Sequence, residues 1–157
     1  MPLFILDGFR SAYNVGSAFR SAEAASPCAV LLCGVCATPG NAGAARLAHT
    51  ARGTQKTVPW RYFPTSFEAV EWAGGTGRRT VVLENSPGAV PLPEAAIGAC
   101  DAFVFGNEAE GVDQRVAASA GMTVRIPQSG ARSCINVASA VAIVAYELVR
   151  RQTGGTG

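Results

Sequence analysis

Ala102-Phe103-Val104-Phe105-Gly106-Asn107-Glu108-Ala109-Glu110-Gly111 sets an apolar run against a polar loop bounded by glycines, and a helix is expected next, from Asp113 to Ala120. A short continuous apolar run between turn signals reads as a strand buried on both faces. The same alternation recurs on either side of it. Met1–Leu6, Cys28–Cys33, Thr80–Glu84 and Thr123–Ile126 read as strands. Thr57–Trp60 reads at most as a short edge strand, because of its proline. Helices are expected over Asn14–Ala25, Asn41–Ala51 and Thr65–Ala73, in a small stretch within Pro87–Gly98, and over Ser133–Arg150. Strands alternating with helices imply an α/β fold, a mostly parallel sheet with helices on both faces. In such folds, polar side chains at strand-to-helix turns build ligand sites.

The 157 residues carry 48% hydrophobic and 15% charged residues, with a net charge of +2. That length is enough for one domain with a real core. We expect a single domain over residues 1–151, with no added N-terminal RNA-binding domain, and a flexible tail over 152–157. Net charge alone does not point to nucleic acid, but its distribution does. No Asp or Glu lies between Ala24 and Phe67, where Arg46, Arg52, Lys56 and Arg61 fall. All basic residues except Lys56 are arginine, which binds phosphate in bidentate fashion and stacks on bases.

The five cysteines, an odd number without a signal peptide, argue against a disulfide framework and for a cytoplasmic protein. Cys33 and Cys36 form a lone C-x-x-C at the end of a buried strand, which reads as reduced thiols rather than a metal site. No metal is expected. No apolar run reaches the ~20 residues a membrane span needs, so no membrane partner is expected either. A P-loop and a dinucleotide fingerprint are both missing, which disfavours ATPases and nicotinamide dehydrogenases.

Three polar turns hold the chemistry. Asn14-Val15-Gly16-Ser17-Ala18-Phe19-Arg20 opens a helix, with Asn14 a good N-cap and Gly16 leaving room for a ligand. Gly106 to Gly111 forms the second turn, with Glu110 expected to be solvated. Ile126-Pro127-Gln128 leads through Ser133-Cys134-Ile135-Asn136-Val137 into the third, where free N–H groups suit a carboxylate or an adenine edge. In their order and spacing these turns resemble the three motifs of the SpoU (TrmH-like) RNA 2′-O-ribose methyltransferases of the SPOUT superfamily.

The resemblance implies a C-terminal trefoil knot, a homodimer packed through helices near the chain ends, and S-adenosylmethionine as methyl donor. It places Arg20 as the main catalytic residue, with Asn14, Glu108 and Asn136 beside it. Phe105, Gly106, Asn107, Glu108, Gly111, Ile126, Gln128, Cys134, Ile135 and Asn136 would hold the donor. Cys134 stands where the family pattern has serine, and Ser133 is one residue earlier. Arg20, Arg46, Arg52, Lys56 and Arg61 would bind RNA, tRNA in preference to rRNA, with Trp60 and Tyr62 available to stack. The rival expectation is a non-catalytic RNA-binding homologue of the same fold.

Overall fold

The structure is a computed structural model and describes residues 1–25, 27–130 and 135–154. Among the described residues seven strands form one sheet: β1 (Leu3–Asp7), β2 (Ala29–Cys33), β3 (Trp60–Phe63), β4 (Arg79–Leu83), β5 (Val90–Pro91), β6 (Asp101–Phe105) and β7 (Met122–Arg125). Their order is β3-β2-β1-β6-β4-β7-β5, and every named pair is parallel. The expected mostly parallel sheet is parallel throughout the described strands.

Among the described residues five α-helices cover it: α1 (Ala12–Ala24), α2 (Ala44–Ala51), α3 (Ser66–Gly75), α4 (Gln114–Ser119) and α5 (Val137–Thr153). Period-two alternation along the strands divides the core. Phe4, Leu6, Val30, Leu32, Phe103 and Phe105 pack with α1, α2 and α5. Leu3, Ile5, Leu31, Val82 and Val104 pack on the other face with α3 and α4. The central strands are buried end to end, as their unbroken apolar sequence requires.

Several boundaries depart from the sequence reading. Helix α1 begins two residues before Asn14, because Ser11 is the cap: its side chain accepts from the Asn14 N–H. Gly16 does not leave room for a ligand. A Cβ there would meet Leu47 O at 2.7 Å and Thr50 Cβ at 2.8 Å, so the glycine serves the close α1–α2 crossing. Strand β3 lies just after Pro59, at Trp60–Phe63, since the proline has no N–H for the ladder. Helix α3 runs through Gly74 and Gly75 and stops where Gly77 takes φ +80°. The small helix expected in Pro87–Gly98 is instead the short strand β5 and turns. Leu92 N–H donates to Arg125 O there, a ladder bond that the apolar spacing of this proline-rich stretch did not suggest.

Helix α5 begins at Val137, capped by Asn136, and continues to Thr153, into the expected tail. Val141, Val144, Ala145 and Leu148 bury one side of it, and Ile143 and Tyr146 are exposed on the other. The segment holding Ser133 and Cys134 lies outside the described residues, as do residues 155–157.

Cys33 and Cys36 sit in different core layers, on opposite faces of the sheet. Burial pushes the Cys36 thiol up to about 11, and its Sγ is tied to Phe9 N–H and Leu6 O. These are structural thiols. No helix of the described residues is long and apolar enough to cross a membrane.

Candidate active site

The three polar turns meet at the carboxyl edge of the sheet. The first follows β1, the second follows β6, and these strands are neighbours. The third delivers Asn136 to the head of α5. Asn136 Oδ1 accepts from the Ala138 and Ser139 N–H groups at 2.8 and 3.3 Å. Its Nδ2 donates to Asn14 Oδ1 at 3.2 Å, and Asn14 Nδ2 donates to Glu108 Oε1 at 2.6 Å.

The chemistry of the end groups fixes the direction of this chain. An ionised carboxylate only accepts, so Asn14 must turn its NH₂ to Glu108. The helix N–H groups only donate, so Asn136 must turn its oxygen to them. Residues separated by 94 and 122 positions are thus locked in one line. Asn14 holds this place because Ser11, and not Asn14, caps the helix and leaves the amide side chain free.

Beside this line lies a cavity of about 250 Å³ over the ends of β4, β6 and β7. Of the residues expected to hold a donor, Phe105, Gly106, Asn107, Glu108, Gly111, Ile126, Gln128 and Ile135 all line it. Asn136 does not. It braces the wall through Asn14. Cys134 lies outside the described residues.

The sequence reading missed Glu84 and Asn85, which enter from the end of β4, and Val137 and Ala140 from α5. The signal was topological. β4 pairs with both β6 and β7, so its exit must border any cavity between them.

Gly106 is obligatory, since a Cβ would collide with the backbone of Gly111 and Val112. Asn107 Oδ1 shapes the same loop by accepting from Ala109 and Glu110 N–H at 2.9 and 2.8 Å. Glu110, expected to be merely solvated, is exposed but reaches Arg10 at 2.9 Å.

Arg20 stands apart from this line. It is exposed on α1 and makes no hydrogen bond or ion pair among the described residues. At 100° per residue, six positions put it about 120° round the helix from Asn14. Arg46, Arg52 and Lys56 are exposed as well. Arg52 closes α2 in the left-handed conformation, at φ 54°. Arg61 packs its guanidinium over Phe63 and Trp72, at 4.8 and 5.3 Å. That is the opposite face of β3 from Trp60 and Tyr62. Among the described residues no group of His, Cys, Asp and Glu could hold a metal ion.

The model of the SpoU rRNA Methylase family matches residues 1–146. The chain belongs to this family. The 23S rRNA (guanosine-2′-O-)-methyltransferase RlmB of Bordetella pertussis is 30% identical over 159 residues, 97% of this chain and 60% of the relative. The tRNA (cytidine(34)-2′-O)-methyltransferase of Ancylobacter novellus is 42% identical over 92 residues, 57% of this chain and 56% of the relative. The AdoMet-bound rRNA methyltransferase structure from Sinorhizobium meliloti superposes with a TM-score of 0.85 at 25% identity. It covers 96% of this chain and 56% of that one. The chain therefore spans about 60% of the length of several curated relatives.

Proposed function

We propose that this SpoU-family chain is an S-adenosylmethionine-dependent RNA methyltransferase that acts on a ribose 2′-hydroxyl, in tRNA rather than rRNA. The observation that carries the reading is the Asn136–Asn14–Glu108 line beside the cavity. It unites the three turns in a family whose relatives are named for this chemistry.

The lining fits the donor. Ile126, Ile135, Val137 and Ala140 supply apolar walls for an adenine, and Glu84, Asn85 and Gln128 supply polar groups. Gly106 brings the loop backbone to the cavity with no side chain in the way. When bound, the donor supplies an electrophilic sulfonium methyl.

This chain's own residues hold the acceptor. Asn14 and Asn136 hold Glu108 in place and give the wall beside the donor a fixed polar edge. Arg20 presents a planar guanidinium fork, so it acts as a clamp that orients the ribose phosphate and stabilises developing charge. Positioning of this kind supplies up to about 7–11 kcal/mol in ideal cases.

The choice of tRNA rests on the relative from Ancylobacter, the more identical of the two over its matched stretch. We further infer a single domain over residues 1–151, threaded at its C-terminal end as a trefoil knot and working as a cytoplasmic homodimer. The apolar groove of Ala24, Ala25, Ala142 and Tyr146 between α1 and α5 supports the dimer.

The test is methyl transfer to total RNA from cells lacking this protein, followed by mapping of the modified nucleoside. A 2′-O-methylated nucleoside in tRNA is expected. RNA binding without methyl transfer would favour a non-catalytic homologue.

A further inference from the structure

Beyond the donor cavity, a second and more open cleft of about 490 Å³ lies between the β1–α1 and β2–α2 loops. It is lined by Arg10, Ser11, Tyr13, Val35, Asn41 and Arg46, among others. We infer that this cleft seats a nucleotide flanking the target ribose, with its base against Tyr13 and its phosphates between Arg10 and Arg46. The inference rests on the proposed RNA methyltransferase activity and deepens it.

The surface has the right chemistry. Tyr13 is 56% exposed and Val35 76% exposed, so a ring and an apolar side chain stand uncovered beside two arginines. A stacking ring with flanking guanidiniums suits a single-stranded nucleotide, because every base has a π-face and every linkage a phosphate. Among the described residues the cleft lining includes no carboxylate. Across Arg10, by contrast, Asp7, Glu110 and Asp113 border a separate acidic hollow, which repels a phosphodiester backbone. The strand is therefore directed towards Arg46.

Placement ties the cleft to the reacting centre. The sheet order puts β2 and β1 beside β6, β4 and β7. The cleft, the Asn14–Glu108 line and the donor cavity therefore follow one another along one edge. Tyr13 and Asn14 are consecutive on α1, so one turns to the cleft while the other faces Glu108.

Arg20 is seven residues after Tyr13, within about 20° of the same helix face and about 10.5 Å along it. A strand gripped by Arg20 thus has Tyr13 on its path. Arg10 is held by Glu110 in a fully solvated pair, 63% and 69% exposed. Such a pair contributes little, so a bidentate phosphate can take the guanidinium from it.

The test compares Tyr13→Ala, Tyr13→Phe and Arg46→Ala with the wild type in binding bulk bacterial tRNA across a salt series. S-adenosylmethionine affinity is measured beside it. Tyr13→Ala should bind about tenfold more weakly, and Tyr13→Phe should retain affinity, since the ring is kept. Arg46→Ala should lower the salt slope by about one. Donor affinity should not change in any of them, and free uridine monophosphate should not displace tRNA. Wild-type tRNA affinity in both alanine variants, from a protein that does methylate tRNA, would overturn this inference alone. Competition by the free mononucleotide would overturn it too, by showing a nucleotide pocket instead of an RNA path. If the wild type neither binds nor methylates tRNA, the inference falls together with the proposed activity.

Discussion

At Asn14, both ends of one amide are committed, its oxygen to Asn136 and its nitrogen to Glu108. Replacing the nitrogen by a second oxygen sets two carboxylates against each other at hydrogen-bond distance, where like charges repel. Asn14→Asp should keep the fold, because an acidic residue is favourable in the first turn of α1. It should keep donor affinity and reduce methyl transfer by about 10²-fold, a typical cost of disturbing a positioned polar group. Calorimetry with the donor and single-turnover kinetics check the two halves separately. Gly106 behaves differently. Even Gly106→Ala drives a Cβ into the Gly111–Val112 backbone. That variant should lose donor binding together with about 1–3 kcal/mol of stability, read from urea unfolding. Full stability with donor binding lost would mean that the loop gives way more easily than its packing indicates.

Helix α5 ends in a charge cluster. Glu147 receives both Arg150 and Arg151, and Arg151 continues to the carbonyls of Ala95 and Leu92 after β5. The hydrogen bonds from Arg150 hold the Glu147 carboxyl down at about 2. An unfolded glutamate titrates near ~4.3. The depressed value stabilises the folded chain above that pH, and the contribution disappears as pH falls through about 2. Denaturant unfolding of the wild type should therefore lose stability more steeply between about pH 5 and pH 2 than Glu147→Gln does. Arg150 is 53% exposed, so solvent screening keeps the difference small. Identical slopes would show that the cluster leaves stability unchanged.

At this same scale, the strands were legible in the sequence because central parallel strands carry unbroken apolar runs. The three turns were legible because polar residues there interrupt that apolar pattern. The capping of α1 was not, since Ser11 and Asn14 are both good caps and only the tertiary bond to Glu108 decides between them. β5 was hidden because its two residues pair with β7 alone and leave no periodic trace. Glu84 and Asn85 were hidden for a different reason: they belong to the site only through the strand order.

For the whole molecule, the exposed face left between α1 and α5 matters most. Ile143 is 37% and Tyr146 67% exposed on a helix whose opposite side, with Val141, Val144, Ala145 and Leu148, is buried. A second copy covering this face would bury it, and light scattering should then give about twice the 16.1 kDa chain mass. A monomer at micromolar concentration would contradict the proposed dimer.

The assembly also bears on Arg20, which stands clear of the polar line within one chain while sharing a helix face with Tyr13. The central claim is that Arg20 clamps RNA against a site built by Asn14, Asn136 and Glu108. Single-turnover methylation of tRNA at saturating RNA, wild type against Arg20→Ala, tests it most directly. The account predicts unchanged donor affinity, a rate lower by about 10²–10³-fold, and little recovery in Arg20→Lys, whose point charge cannot reproduce a planar fork. A wild-type rate in Arg20→Ala would contradict it and leave Arg20 as a surface residue of α1.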